Sequence, residues 1–215
     1  MYVVGRGAFW RAFPASSFST QYIVDDFSTI DAVAIAARGR VPDLLLLASA
    51  GVAQDDRRLV RQVRAKPWPL ASVPLLGLSM RTSDAAVLRR CGLDAIVPDP
   101  QDPAALAAMI VPWNPLGVTA GVGRLATVFG ASEIDALVAR FETLLASAVA
   151  ALDQRVDPAI AHRIAGIAGT LGFERVGESW LALSEGDVTV RDDARRTARV
   201  ALHAIARGRH ERDLY

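Results

Sequence analysis

The sequence is poor in cysteine, in charge of one sign and in long apolar runs. Only one of the 215 residues is cysteine, Cys91, which excludes an internal disulfide framework and a metal site built from several thiolates. The 24 lysines and arginines are balanced by 23 acidic residues, so no basic surface for nucleic acid is expected. No apolar stretch reaches the ~20 residues that cross a bilayer, and the first residues lack the pattern of a secretion signal. We expect a soluble cytoplasmic protein that binds neither nucleic acid nor membrane.

Residues 1–112 alternate short apolar runs with segments of helical character. The apolar runs cover residues 2–4, 22–24, 44–47, 75–78 and 95–97, and the helical segments include residues 30–38, 59–64 and 85–90. Nearly continuous apolar runs separated by helices are typical of a parallel sheet whose two faces are both covered. The pattern therefore predicts a five-stranded, parallel, doubly wound α/β domain over residues 1–112.

The second half of the chain has a different periodicity. Residues 113–117 contain proline and glycine and are interpreted as a linker. Beyond the linker, apolar residues recur at three-and-four spacing over residues 134–152, which indicates an amphipathic helix. Further helices are predicted over residues 157–172, 174–184 and 191–207, with Asp157 as an N-cap and Gly186 and Gly208 as stops. Residues 118–215 are therefore predicted to form an all-α bundle.

His162 lies inside the helix that follows Asp157. The predicted buried face of that helix consists of apolar residues at steps of four, three and four: Ile160, Ile164, Ile167 and Leu171. His162 is two residues from this stripe, about 200° round the helix, so it is expected to point away from the core.

Small residues surround His162 on its own side of the helix: Ala159, Ala165, Gly166 and Gly169. A glycine inside a helix costs about 0.5–1 kcal/mol relative to alanine, so two of them near one exposed residue need a reason. Close packing of another surface over His162 is such a reason. That surface belongs either to a partner protein or to a neighbouring helix of the same bundle.

Residues 162–172, with the sequence HRIAGIAGTLG, resemble the signature of histidine phosphotransfer (HPt) domains, H-x-L/I-K-G-x-A/S-x-x-L/I-G. The likeness extends over about residues 124–186. It implies an HPt-type four-helix bundle in which His162 is the phosphoacceptor. It also implies a partner-binding surface around that histidine, formed by Ala159, Arg163, Ala165, Gly166 and Gly169. The family's usual lysine is Ala165 here, and Arg163, Arg155 and Arg175 are the basic residues that could replace it.

The chemistry implied by this resemblance is nucleophilic. A neutral imidazole nitrogen of His162 would attack a phosphoryl group, and the phosphohistidine would later pass that group to an aspartate. The implied partners are receiver domains of response regulators or a hybrid histidine kinase. The Mg²⁺ ion would sit on the partner receiver, with no cofactor on this chain. Such a protein is a phosphocarrier rather than a turnover enzyme. His203 and His210 are interpreted as solvated surface residues.

The first half resembles the receiver domain of response regulators. Residues 42–47, with the sequence PDLLLL, are similar to the receiver's third strand, but Ala48 stands where the phosphoacceptor aspartate belongs. Residues 73–79 are similar to the fourth strand and keep the family's hydroxyl residue as Ser79. Asp99 stands in place of the lysine that follows the fifth strand, and the positions of the acidic pair fall near Gly5 and Arg6.

Asp25 and Asp26 are an alternative for that acidic pair, but too few residues separate them from Ala48, and we interpret them as part of the second strand. The resemblance therefore implies a pseudo-receiver, meaning a receiver-like domain that cannot be phosphorylated. It would serve partner binding, homodimerisation or regulation. The expected function is a phosphorelay intermediate that transfers phosphoryl groups in trans. Two alternatives remain: a non-catalytic adaptor in which both domains are degenerate, and a masking role in which the pseudo-receiver covers His162.

Overall fold

The computed structural model describes residues 1–4, 23–48, 53–67, 69–78, 80, 82–97, 103–154 and 156–213. Its chain divides into two compact units, Met1–Asn114 and Pro115–Tyr215. The division falls inside the segment interpreted as a linker, although Trp113 is buried in a short 3-10 helix, Val111–Trp113. Several positions used in the comparison with receiver and HPt domains lie outside the described residues: Gly5, Arg6, Ser79, Asp99 and Arg155.

The first unit contains a five-stranded sheet in which all neighbouring strands are parallel, in the order β2-β1-β3-β4-β5. The strands are β1 (Tyr2–Val4), β2 (Asp25–Phe27), β3 (Leu45–Ala48), β4 (Leu75–Leu78) and β5 (Ala95–Val97). Three consecutive residues of β3, Leu45, Leu46 and Leu47, are each 0% exposed. Because successive side chains point to opposite faces, both faces of the sheet are covered. The predicted five-stranded parallel sheet is confirmed.

The second strand includes Asp25 and Asp26, as interpreted from their spacing to Ala48, but the apolar run at residues 22–24 does not mark its position. The apolar run at residues 22–24 suggested a strand there, but Ile23 is exposed and β2 begins at Asp25. β2 is at the edge of the sheet, where one side of the strand faces no neighbouring strand. An edge strand tolerates charged residues, and Asp26 is exposed. Hydrophobicity was therefore the wrong guide to its position.

The helices of the first unit follow the strands in alternation: α1 (Ile30–Ala36), α2 (Ala53–Arg64), α3 (Ala85–Arg90) and α4 (Pro103–Ile110). Thr29 caps α1, since its side-chain oxygen accepts the amide hydrogen of Ala32 at 3.2 Å. α1 and α2 each present two apolar residues to the core: Ile30, Val33, Val60 and Val63.

A buried ion pair connects the end of α2 to the segments that lead into β4 and β5. Arg64 Nη2 lies 2.6 Å from Asp94 Oδ2, and the Asp94 side chain is only 1% exposed. The same Asp94 oxygen accepts the amide hydrogen of Leu75 at 2.8 Å. The Arg64 guanidinium also donates at 2.7–2.8 Å to the backbone oxygens of Gly92, Ala71 and Val73.

The second unit is helical throughout its regular structure: α5 (Ala120–Phe129), α6 (Ala131–Ala151), α7 (Pro158–Leu171), α8 (Glu174–Ser184) and α9 (Arg191–Asp213). The buried core is drawn from α6 to α9, with Phe141 and Phe173 stacked at a centroid distance of 5.2 Å. α5 packs against this core through partly buried residues. The sequence pattern predicted a helical second half, but it did not reveal α5.

The last helix differs from its prediction in two respects. Gly208 was expected to end it, but α9 continues to Asp213. Arg207 Nε lies 2.8 Å from Glu211 Oε1 across that glycine, so one ion pair bridges the weak position. His203 was interpreted as a surface residue, and that interpretation was wrong, because it is 0% exposed. His210 is half-buried. No helix within the described ranges is both long and apolar enough to traverse a bilayer.

Candidate functional site

Both ends of α7 are fixed by local hydrogen bonds. Asp157 is the N-cap, and its carboxylate accepts the amide hydrogen of Ala159 at 2.9 Å, while Pro158 occupies the first helical position. At the other end Gly172 adopts a left-handed conformation with φ of 80°, and the amide of Phe173 donates to the carbonyl of Ala168 at 2.8 Å. This pattern terminates a helix tightly. His162 is therefore held on a well-defined helix, one turn from its start.

The buried face of α7 is rotated from the predicted one. It consists of Ala161, Ile164, Ala165, Ala168 and Leu171. Ile160 was expected in the core, but it is 41% exposed, and Ile167 is half-buried. Ile164 and Leu171 of the predicted stripe are buried as expected, and three alanines complete the buried face in place of Ile160.

The neighbouring helix α8 explains why alanine lies on the buried face. A Cβ atom on Gly177 of α8 would lie 3.6 Å from the backbone oxygen of Ala165 and 3.7 Å from the backbone nitrogen of Gly169. The two helices therefore approach backbone to backbone at this point. Ala165 was predicted to bind a partner, but it is only 9% exposed. That prediction was wrong, because α8 covers the side of α7 on which Ala165 lies.

The other predicted site residues form an exposed face of α7: Ala159, His162, Arg163, Gly166 and Gly169. A Cβ atom built on Gly166 or on Gly169 would meet nothing within 4 Å. Within the described part of the chain, a methyl group would therefore fit at either position, although the backbone of Gly169 also lies close to Gly177 of α8. The alternative that a neighbouring helix of the bundle covers Gly166 does not hold among the described residues.

A second close approach fixes the far end of α7. A Cβ atom on Gly121 of α5 would lie 2.7 Å from the backbone oxygen of Leu171 and 2.9 Å from Cα of Gly172. Both neighbours are backbone atoms that cannot move independently of α7. Gly121 thus lets α5 cross the end of α7. The sequence offered a signal, a glycine in an otherwise helical segment, but the helix itself had not been predicted.

The polar groups on the exposed face are few. Arg163 is the single charged side chain within α7, as the sequence of residues 158–171 shows. The Thr170 hydroxyl donates to the backbone oxygen of Gly166 at 3.0 Å. α8 contributes exposed charged residues nearby in sequence: Glu174, Arg175 and Glu178. The exposed face of α7 thus carries one imidazole, that of His162, and one guanidinium, that of Arg163.

In the first unit, the end of β3 carries no nucleophilic side chain. Ala48 is the last residue of β3, pairs with Leu78 of β4 and is 5% exposed. The carboxyl ends of parallel strands are where ligands bind in such sheets. A methyl group there can neither accept a phosphoryl group nor bind a metal.

We compared the chain with models of known protein families, with functionally characterised proteins and with solved structures, and none of these comparisons gives a match.

Proposed function

We propose that the protein is a histidine phosphotransfer intermediate in which His162 accepts a phosphoryl group from one receiver domain and donates it to another. The observation behind the proposal is the exposed face of α7. His162 lies there beside Gly166 and Gly169, whose missing side chains leave open space. Each glycine costs the helix about 0.5–1 kcal/mol, although a methyl group at either position would meet no described atom within 4 Å. A partner that must bring its reactive group close to the imidazole accounts for both glycines.

The architecture is compatible with this function. A core built from four helices, α6 to α9, is the arrangement expected of an HPt domain. The strand order β2-β1-β3-β4-β5 is that of flavodoxin-like sheets, to which receivers belong. Ala48 in place of the acceptor aspartate would make the first unit a pseudo-receiver that serves partner binding, dimerisation or regulation. Phosphoryl transfer would then occur in trans only.

The reaction needs little from this chain beyond the histidine. The lone pair of the neutral imidazole forms an N–P bond while the P–O bond to the partner's aspartate breaks. The electron pair of that bond stays with the aspartate, which leaves as a carboxylate. The partner receiver would supply the Mg²⁺ ion that offsets the phosphoryl charge. In the reverse step the N–P bond breaks, and a receiver aspartate takes the group.

The test is phosphoryl transfer to the full chain from receiver domains charged with radiolabelled acetyl phosphate. We expect acid-labile, base-stable label on the wild type and none on His162→Ala. His210→Ala is the matched control, because it removes another histidine of the second unit and should label normally. The proposal fails if a broad panel of receivers leaves the wild type unlabelled, or if His162→Ala takes up as much label as the wild type.

A non-catalytic adaptor is the second candidate, and Ala165 is the observation that favours it. The family's lysine at this position would help hold the phosphoryl group, yet here the backbone of Ala165 is packed against α8. An adaptor would bind a receiver with equal affinity as wild type and as His162→Ala. It would acquire no label in either form. Isothermal titration with the same receivers distinguishes the two functions.

A further inference from the structure

The rotated buried face changes the position of Arg163 relative to the exposed face. At 100° per residue, the five buried residues of α7 define the mean buried direction of the helix. The opposite direction, which is the middle of the exposed face, lies about 55° round the helix from His162. Arg163 lies about 100° from His162 in the same sense, and Gly166 lies about 40° from it. The middle of the exposed face therefore falls between His162 and Arg163, close to Gly166.

The helix surface beside these two residues is open at Gly166, where an added Cβ atom would meet nothing within 4 Å. Both residues are exposed. No ion pair holds Arg163 elsewhere among the residues that the structure describes. Its long, flexible side chain is free to turn across the glycine toward a group on His162.

From this geometry we propose that Arg163 is the positioning cation of the site and holds the phosphoryl group on phosphorylated His162, in place of the lysine that HPt domains carry at the position of Ala165. The inference rests on the proposed phosphotransfer function. A phosphoryl group adds negative charge and acceptor oxygens at His162. Arginine binds such groups through a planar fork of N–H donors. Ala165 carries no charge and is only 9% exposed, so it contributes no cation to this face.

The experiment uses phosphoramidate as the phosphoryl donor, so that no partner protein contributes charge. The imidazole forms the N–P bond as the donor's P–N bond breaks and ammonia leaves. Full-length wild type, Arg163→Ala, Arg163→Lys and His162→Ala are compared. Arg140→Ala is the matched control, because it removes one exposed arginine from α6. Circular dichroism verifies that every variant keeps its helices.

Two measurements are made on each variant. The first is the rate of phosphohistidine formation, and the second is the pKa of the bound phosphoryl group, followed by phosphorus NMR during a pH titration. We expect Arg163→Ala to slow formation about three- to tenfold, equivalent to about 0.7–1.4 kcal/mol at 1.4 kcal/mol per factor of ten, a scale that suits an exposed charge-assisted contact. It should also raise the pKa of the phosphoryl group. Arg163→Lys should restore most of the rate and bring the phosphoryl pKa most of the way back to the wild-type value, and Arg140→Ala should match the wild type in both measurements.

The outcomes separate the two proposals. If the wild type forms phosphohistidine at His162 and Arg163→Ala equals it in rate and in phosphoryl pKa, the role of Arg163 is refuted and phosphotransfer stands. A slower Arg163→Ala with an unchanged phosphoryl pKa and no rescue by lysine also refutes it, since packing then explains the loss. If the wild type forms no phosphohistidine with phosphoramidate or with charged receivers, both proposals fail together.

Discussion

Replacing Arg64 by alanine is expected to destabilise the first unit far more than an ordinary arginine substitution. Arg64 Nη2 lies 2.6 Å from Asp94 Oδ2, and the carboxylate it neutralises belongs to a side chain that is 1% exposed. Truncation leaves that carboxylate buried without the guanidinium, and three backbone carbonyls lose their donor. Breaking a buried pair from one side costs about 3–5 kcal/mol. A domain's whole stability is about 5–15 kcal/mol, so a large share of it depends on this one side chain.

Hydrogen exchange on the full chain measures the loss of stability separately in each unit. The free energy of opening, measured at the amides of β4 and β5, should fall by about 3–5 kcal/mol in Arg64→Ala. Amides of α7 serve as an internal reference in the same molecule. Arg61→Ala is the matched control, since Arg61 is an exposed arginine of the same helix, and it should change the opening free energy by less than about 0.5 kcal/mol.

The double variant tests the reason for the effect. Asp94→Ala removes the charge that Arg64→Ala leaves stranded. The double variant should therefore lose about 1–3 kcal/mol less than the sum of the two single losses, as expected for side chains in contact. The reasoning is refuted if Arg64→Ala resembles Arg61→Ala, or if the losses of Arg64→Ala and Asp94→Ala are additive.

Four further substitutions probe helix packing and one ionisation. Gly121→Ala places a Cβ 2.7 Å from a backbone oxygen of α7, so urea unfolding should show a loss of about 1–3 kcal/mol. Gly123→Ala, in open space on the same helix, should gain about 1 kcal/mol, and equal effects would contradict the contact. Gly166→Ala should gain a similar amount yet slow transfer from a charged receiver, and a loss of stability would reveal a contact in the free protein. Tyr2→Phe removes a hydroxyl that donates to the backbone oxygen of Arg40 at 2.7 Å and should cost about 1 kcal/mol at neutral pH. Burial, and next the nearby Asp25, raise the pKa of Tyr2 above 10.0. The wild type should therefore lose this advantage as pH rises from the unfolded to the folded pKa, whereas Tyr2→Phe should not.

The buried strands could be predicted well from the sequence, because burial on both faces requires apolar residues in succession. Residues 2–4 and 75–78 were predicted as strands and match β1 and β4. The edge strands lack this requirement: the apolar run 95–97 still matches β5, whereas the apolar run 22–24 precedes β2. α5 was missed because only one of its residues, Gly121, is buried. Its position depends on a backbone contact with α7 that no hydrophobic pattern records.

The site was predictable in part for a similar reason. His162 lies opposite the predicted apolar stripe and is exposed as expected, although Ile160 of that stripe is exposed too. The burial of Ala165 could not be inferred, because the rotation of α7 depends on how closely α8 approaches. Gly177 permits that approach, and its effect falls on Ala165, twelve residues away. His203 was misjudged because the pattern of its own helix does not show what else packs around it.

Ala48 has a consequence for how this sequence can change over generations. Ala48 lies at the carboxyl end of β3 and is 5% exposed. A single mutation to aspartate would place a carboxylate where a buried methyl group now lies, and a buried carboxylate without a cation typically costs several kcal/mol. The acidic pair and the lysine of a receiver would require further substitutions at Gly5, Arg6 and Asp99. Aspartate at residue 48 alone would therefore lower stability without completing a receiver site. New functions of the first unit would therefore arise more readily through substitutions on its surface than through substitutions at Ala48.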